Sequence, residues 1–495
     1  MATSSISNVG SISSAGLGSG LDVNSIVTQL MAVESRPLTL LQTQASSLQS
    51  KLSTFGSLQS QFSTLRDKSN ALLAPSLWSA TTATSDDAAA VKVATTSNAQ
   101  PGAYAISVGA LASTQTLTAT ALASSGATLN AGSLTIELGT WSTGPGPTFT
   151  PGFAAKSGAA AVSVAIGSSD TSLASIRDKI NAAGAGVTAT IITDASGARL
   201  SLRSQATGAE NGFRVSATET SDDGVAGTGL SMLAYDPSNP VAGTSNMGLS
   251  QAAANASASI NGIAVSSASN ILTNVVDGLT VSLLKTTTGA VNVSVATDTA
   301  AIQKSVTDFV AAFNSLAGFI HTQTAYNAGS KSGGLLQGDA STIALQNRLR
   351  GVLNQASSAS ATWSTLSDIG IAMQSDGSLA TDATKLGNAV GNLGELKKLL
   401  YTNGADSASS GFVRRFQKLA TTALSADGVF DSRTAGLNAS LLLNSKSQDA
   451  MQTRLDGTQA RLRAQYSALD TKMAQLNGLS SYLTQQITST NRSTA

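Results

Sequence analysis

A glycine cluster opens the list of residues that could do chemistry. "SAGLGSGLDVNSIVTQL" (14–30) sets Gly16, Gly18 and Gly20 ahead of a helix-like run, and a glycine-rich turn feeding a helix N-terminus is a ready phosphate cradle. The pattern then breaks. The G-x-G-x-x-G fingerprint needs a third glycine where Leu21 stands, no alternating strand run precedes Gly16, and the chain contains no Gly-Lys pair for a phosphate-binding lysine. One histidine, His321, is present in "FIHTQTAYN". Any Ser-His-Asp triad would have to use it, and a two-histidine zinc motif cannot be built; its place at a helix end reads as capping or surface. With no cysteine, disulfides, thiolate metal sites and cysteine nucleophiles fall away together. The adjacent carboxylates Asp86/Asp87 and Asp222/Asp223 would have to stand about 5–9 Å apart across a cleft to work as a glycosidase pair, and their turn-like surroundings read as solvated acids. The chain is therefore expected to be no enzyme and to need no cofactor or metal.

The elements around these residues say more. From Leu38 the apolar residues fall into heptads: Leu41, Leu48, Phe55 and Phe62 recur every seven residues, with Leu38, Ala45 and Leu52 in the alternate position, polar Gln59 next in line, and Leu58 and Leu65 widening the stripe. The 3-4 spacing is that of a coiled-coil seam. Asp22 can cap a helix over 23–35, and Pro37 suits the first turn of the next. The other end answers in kind. Leu455, Leu462, Leu469, Leu476 and Leu483 form an unbroken leucine heptad, accompanied by Tyr466, Met473 and Ile487 on the second seam position, with Ser480 as its polar member. Such a stripe fits a coiled coil or a long helix inside a bundle, and in either case must be covered within the chain or by another subunit.

Between the two ends, residues 86–297 alternate with period two in short runs, as in Tyr104/Ile106/Val108, Leu134/Ile136/Leu138 and Val291/Val293/Val295, separated by Gly, Asn, Asp and Ser. One helix interrupts them in "TSLASIRDKINAAGAG", with Leu173, Ile176 and Ile180 on its apolar face, Asp170 or Ser169 as cap and Gly184 as stop. "GTWSTGPGPTFTPGF" (139–153) reads as an exposed head loop displaying Trp141, a candidate contact for a host glycan. Helices return after Val295, first with Ile302, Val306, Phe309, Val310 and Phe313 on one face, then around 339–357, 383–401, 411–425 and 433–446; a short hairpin turning at Asp376-Gly377 lies among them.

This is an α+β multidomain chain: a helical, coiled-coil stalk made by both termini, with β-rich head domains inserted mid-chain. The expected divisions are a flexible leader and short helix (1–37), an N-terminal helical stalk (38–85), a first β domain in two parts (86–118 and 250–297), a second, inserted β domain with one helix (119–249), a helical stalk domain (298–450) and a C-terminal coiled-coil leg (451–495). The net charge of +1 with 12% charged residues offers no basic surplus for phosphate backbones, so nucleic acid is not expected as a partner. No run of about 18 uncharged apolar residues suggests a membrane span. No basic residue precedes Arg36 and no apolar run fills 1–20, so a cleaved secretory signal is not expected.

Several stretches carry a resemblance. "GLGSGLDVNSIVTQLMAVESRP" is similar to the glycine-rich N-terminal motif of the bacterial flagellar filament-capping family, the hook-associated proteins 2. The strand-to-helix junction 278–316, with Gly278, Leu279, Asp298, Phe309, Val310 and Asn314, resembles the same family, as do "GGLLQGDAS" (333–341), "LSDIGI" (366–371) and "QYSALDTKMAQLNGLSSYLTQQI" (465–487). Residues 162–202 look like a small β-rich module inserted in flagellins and cap proteins, while 109–160 and 220–250 carry no such motif. The resemblance implies a secreted, homo-oligomeric ring at the distal tip of the filament, exported through the flagellar type III channel. Flagellin would fold and insert beneath it, hook–filament junction proteins would be neighbours, and an export chaperone would bind the C-terminal region. In that setting the heptad residues form the assembly interface, and Gly16, Gly18, Gly20, Leu21 and Asp22 form a terminal docking motif, with residues 1–20 disordered in the free protein. Another axial protein (a flagellin or junction protein) and a surface adhesin are the alternatives.

Overall fold

The computed structural model describes residues 22–96, 98–142, 144, 151–222, 224, 225, 227–239, 241, 244–329 and 331–493. The chain divides into two compact units, Met1–Ala74 with Ile302–Ala495, and Pro75–Ala301.

In chain order, α1 (Val23–Glu34) and α2 (Arg36–Leu72) come first; α3 (Pro75–Trp78) is a single turn. Pro37 stands in the first turn of α2, where no helix partner is needed for its missing N–H. Strands β1 (Thr81–Ser85), β2 (Val91–Thr95), β3 (Gly102–Ala110), β4 (Thr116–Thr118), β5 (Gly132–Trp141), β6 (Phe153–Ala155) and β7 (Val162–Ile166) follow. Then come α4 (Leu173–Ala182), β8 (Val187–Asp194), β9 (Gly197–Ser204), β10 (Gly212–Glu219), β11 (Gly248–Gln251), β12 (Ala256–Ile260), β13 (Ile263–Ser267), β14 (Ile271–Val276), β15 (Leu279–Leu283) and β16 (Val291–Thr297). The rest is mainly helical: α5 (Thr299–Thr324), α6 (Ala340–Asn354), α7 (Ala383–Gly391), α8 (Leu393–Tyr401), α9 (Phe412–Leu424) and α10 (Val429–Ser493), with two short strand pairs, Tyr326–Asn327 with Ser332–Gly333 after α5 and a hairpin of Ile371–Met373 and Leu379–Thr381 before α7.

The β unit holds two cores. One lies between a five-stranded antiparallel sheet, ordered β1-β16-β3-β12-β13, and a three-stranded sheet, β14-β15-β2. Ile106, Val108, Val281, Val293 and Leu272 fill it, and the inward residues of each strand are the alternate ones the period-two pattern marks. Gly278 turns β14 into β15 at φ +75°, and a Cβ there would fall onto the backbone of Ala99; only glycine fits. The second core belongs to the inserted segment. It gathers Leu134 and Ile136 of β5, Ile176 and Ile180 of α4, Leu200 and Leu202 of β9, and Phe213 and Val215 of β10. The cap of α4 is Ser172, whose Oγ accepts from the Ser175 N–H at 3.2 Å. Neither Asp170 nor Ser169 takes that role, because a cap must directly precede the first helical residue; Asp170 instead pairs with Lys179 at 3.0 Å.

In the helical unit, α5 buries Ile302, Val306, Phe309, Val310 and Phe313 on one face. His321 is exposed in its last turn. The hairpin turn is completed by Gly377 at φ +86°. Two expected divisions fall elsewhere. Strand structure begins at Thr81, inside the segment read as stalk. Residues 433–446 and the terminal leucine heptad belong to one helix, α10, which crosses position 450 without a break. No proline follows Pro240, so no proline interrupts that helix, which continues across Gly436, Gly457 and Gly478.

Candidate assembly interface

The leucine-rich helices α2, α10 and α1 make the site. Along α2 the buried side chains are Thr54 and, in a seam spaced 3-4-3-4-3 as in a coiled coil, Phe55, Leu58, Phe62, Leu65, Ser69 and Leu72. Leu41 and Leu48 are half-buried. The alternate seam position thus shifts from Ala45 and Leu52 to Leu58 and Leu65, and Gln59 is exposed. A straight helix drifts by about 20° per heptad against a 3.5-residue repeat, and the shift keeps the stripe facing its partner. Ser69 occupies a fully buried seam position by donating its hydroxyl to the Leu65 carbonyl at 2.7 Å.

α10 packs against α2. The rings of Phe62 and Phe430 meet edge to face at 5.2 Å. Arg433 lies 5.7 Å above the Phe55 ring and reaches Asp339 Oδ2 at 2.7 Å. Asp339 also caps α6 by accepting from the Thr342 N–H at 2.9 Å, so one carboxylate ties α10 to the start of another helix. Further along, the buried Asn444 donates to Gln44 Oε1 at 3.2 Å and accepts from Gln448 Nε2 at 2.6 Å. A satisfied polar group inside a helix–helix seam fixes register, because sliding by a turn would strand it. α1 continues the packing on α10, burying Val23 and Val27. Its cap is Asp22, whose Oδ1 accepts from the Ser25 N–H at 2.9 Å.

The C-terminal heptad changes character along its length. Leu455 is buried, and Leu462 and Tyr466 are half-buried. Met473 is half-buried, but Leu469 is 45% exposed, Leu476 60%, Leu483 52% and Ile487 61%. Leu479 and Tyr482 are exposed as well. The same stripe that is covered near Leu455 therefore lies open on the last turns. Single exposed leucines are ordinary, but a contiguous stripe of this kind is a candidate interaction surface. The exposed Leu479 and Tyr482, outside the strict heptad, belong to it too; their i+3 spacing from Leu476 and Leu479 was the signal in the sequence. Gly16, Gly18, Gly20 and Leu21, and the disorder expected for residues 1–20, lie outside the described residues.

Trp141 is corrected. It ends strand β5 rather than standing out on a loop. Its Nε1 donates to Gln115 Oε1 at 3.0 Å and the Phe213 carbonyl at 3.3 Å, and its ring meets Phe153 at 4.7 Å and Tyr235 at 5.7 Å. An indole whose N–H is paired and whose ring meets two other aromatic rings is a packing element. Gly139 permits this, since a Cβ there would collide with the Phe153 ring. Residues 143 and 145–150 of the segment read as a loop lie outside the described residues. Among the described residues, no group of three or more His, Cys, Asp or Glu is placed to hold a metal ion, and no helix is long and apolar enough to cross a membrane.

Comparison with known proteins agrees over most of the chain. Residues 19–115 match the family described as flagellar hook-associated protein 2 N-terminus, and 253–478 its C-terminus. Residues 156–206, which contain β7, α4, β8 and β9, match the flagellin hook IN motif. The flagellar hook-associated protein 2 of Escherichia coli K12 is 34% identical over 96% of this chain and 98% of its own length. The B-type flagellar hook-associated protein 2 of Pseudomonas aeruginosa is 31% identical over 92% of this chain and 93% of its own. Among solved structures, the D1-D2-D3 domains of the flagellar cap protein FliD from Escherichia coli align with a TM-score of 0.56 at 32% identity, covering 78% of this chain and 99% of that one. A stalk of helices from both ends of the sequence, β domains between them and relatives matched over nearly their whole length lead to one assignment: the chain belongs to the flagellar hook-associated protein 2 family, the filament caps.

Proposed function

We propose that this protein sits as a homo-oligomeric ring at the distal tip of the flagellar filament, where exported flagellin folds and inserts beneath it. The observation that carries the reading is the open leucine stripe on the last turns of α10, Leu469, Leu476, Leu483 and Ile487 beside the half-buried Met473, beyond a stretch of the same helix whose seam face, Phe430, Leu437, Asn444 and Leu455, is buried. A helix that is half core and half open apolar face is suited to docking on the helical ends of other axial subunits. In this reading Gly16, Gly18, Gly20 and Leu21 supply a pliable lead into the Asp22 cap, so that the terminus takes its shape on the filament. Neighbours would be flagellin and the hook–filament junction proteins; an export chaperone would cover the C-terminal stripe before passage through the type III channel. The work is done by protein contacts and needs no catalytic group.

Electron microscopy of filaments carrying a gold-labelled copy tests the placement. Label confined to one plate at each distal tip is expected. Label distributed along the shaft would make the protein a filament subunit and overturn the reading.

A further inference from the structure

A cleft of about 540 Å³ opens between α6, the 402–411 loop and α9. Four cations line it, Arg348 from α6 and Arg414, Arg415 and Lys418 from α9, against one carboxylate, Asp406. Arg415 is already committed. It is buried and donates to the carbonyls of Gln355 (2.7 Å), Ser410 (3.0 Å), Ala356 (3.2 Å) and Ala408 (3.2 Å), and so braces the loop. Asp406 is committed too, accepting from the Ser409 N–H and hydroxyl at 2.7 Å each. The other three cations form no ion pair among the described residues. Arg414 Nε is buried with no hydrogen-bond partner, while its guanidinium stands 5.4 Å over the Tyr401 ring. Arg414 and Lys418 are like charges at i,i+4, an arrangement that weakens a helix on its own account. A buried donor left unpaired is likewise costly. Both features make sense when an anion enters.

We infer that this cleft receives an acidic peptide segment of a partner protein. The volume far exceeds one oxyanion. Asn403 and Gln417 in its wall offer both donors and acceptors to a peptide main chain, and Val352 and Leu419 offer apolar contact between the charges. Planar guanidinium groups suit carboxylates, which they can grip through two parallel hydrogen bonds. Asp406 favours a peptide over a sulfated sugar, since its negative charge repels a dense polyanion. This site is separate from the α10 stripe and does not depend on the cap reading.

Fluorescence anisotropy with a labelled peptide alternating Glu and Leu tests it on the full chain, beside its Gln–Leu counterpart, inorganic phosphate and a sulfated oligosaccharide. Binding of the Glu peptide is expected, with none by the Gln peptide, weak competition by phosphate, and at least about tenfold weaker binding in the Arg348→Glu plus Lys418→Glu variant. Both of those side chains are exposed, so unchanged thermal unfolding is the accompanying check on the fold; Arg348→Gln plus Lys418→Gln, a milder pair, should weaken binding in the same direction. Equal binding of the Gln peptide, unchanged affinity in both variants, or tighter binding of phosphate or of the sulfated sugar would overturn the inference.

Discussion

Phe430 and Leu437 near the start of α10, and Leu469, Leu476 and Leu483 near its end, each recur every seven residues, and the two stretches meet opposite fates. From Phe430 to Leu455 one face of the helix is covered, while Leu442 and Leu443 stand exposed off it: Phe62 meets Phe430 edge to face, Arg433 spans from Phe55 to Asp339, and Asn444 joins Gln44 to Gln448. From Leu469 to Ile487 the stripe lies open. The periodicity is the same in both halves, so it reports only that a face seeks a partner. What separates fold from assembly is the set of residues between the leucines. In the packed half an aromatic ring and polar groups, Phe430, Arg433 and Asn444, have partners on α2 and at the start of α6, while the aromatic residue of the open half, Tyr482, is exposed with the leucines around it.

The comparison can be broken hardest at Phe62. It is fully buried, and Phe62→Ala is expected to cost about 3–5 kcal/mol of stability, read by chemical denaturation; a loss below about 1 kcal/mol would mean the packed half is no more a core than the open one. Arg433→Met should cost about 1.5–3 kcal/mol in the same assay, because Asp339, nearly buried, loses a charged hydrogen bond while keeping its capping duty. Asp22→Ala removes the α1 cap and should cost about 1 kcal/mol, seen as faster amide exchange at the start of α1 and not in α2.

The smallest effect is conditional on pH and lies in the helical unit away from α10. Glu395 accepts from Lys398 Nζ (2.8 Å), Ser360 Oγ (2.7 Å) and the Ala361 N–H (2.8 Å), and these hold its carboxyl down to about 2 from an ordinary 4.5. A carboxyl lowered on folding stabilises the protein above its unfolded value and loses that contribution as pH falls through its folded value. Glu395→Gln should therefore melt lower than the parent at pH 6, and the gap should close between pH about 4.5 and about 2. A gap that stays constant over that window would contradict the assignment.

Much of this architecture could be read in the sequence because it rests on local spacing. The heptads of α2 and α10, the α5 face and the alternating strands depend on neighbours three, four or two residues away. The misses share a cause: each depended on something distant or on the backbone itself. Trp141 looked exposed among prolines and glycines, yet its cover comes from Phe153, Gln115, Phe213 and Tyr235, brought together by strand pairing. Gln59 lost the seam to Leu58 because helix drift is invisible to a strict count of seven. The division expected at 450 sat just before the leucine heptad, whereas a helix lacking proline continues across it despite Gly436, Gly457 and Gly478. The cationic cleft between α6 and α9 was also out of reach, since Arg348 is 66 residues away from Arg414.

The open half of α10 offers the most direct test, a paired reading of stability and filament growth in Leu469→Asp plus Leu476→Asp. Both leucines are exposed, so thermal unfolding should stay within about 0.5 kcal/mol of the parent, while cells carrying the variant should grow no filaments. Normal filaments and motility, or a large loss of stability, would contradict the division of α10 into a half that folds the chain and a half that assembles it.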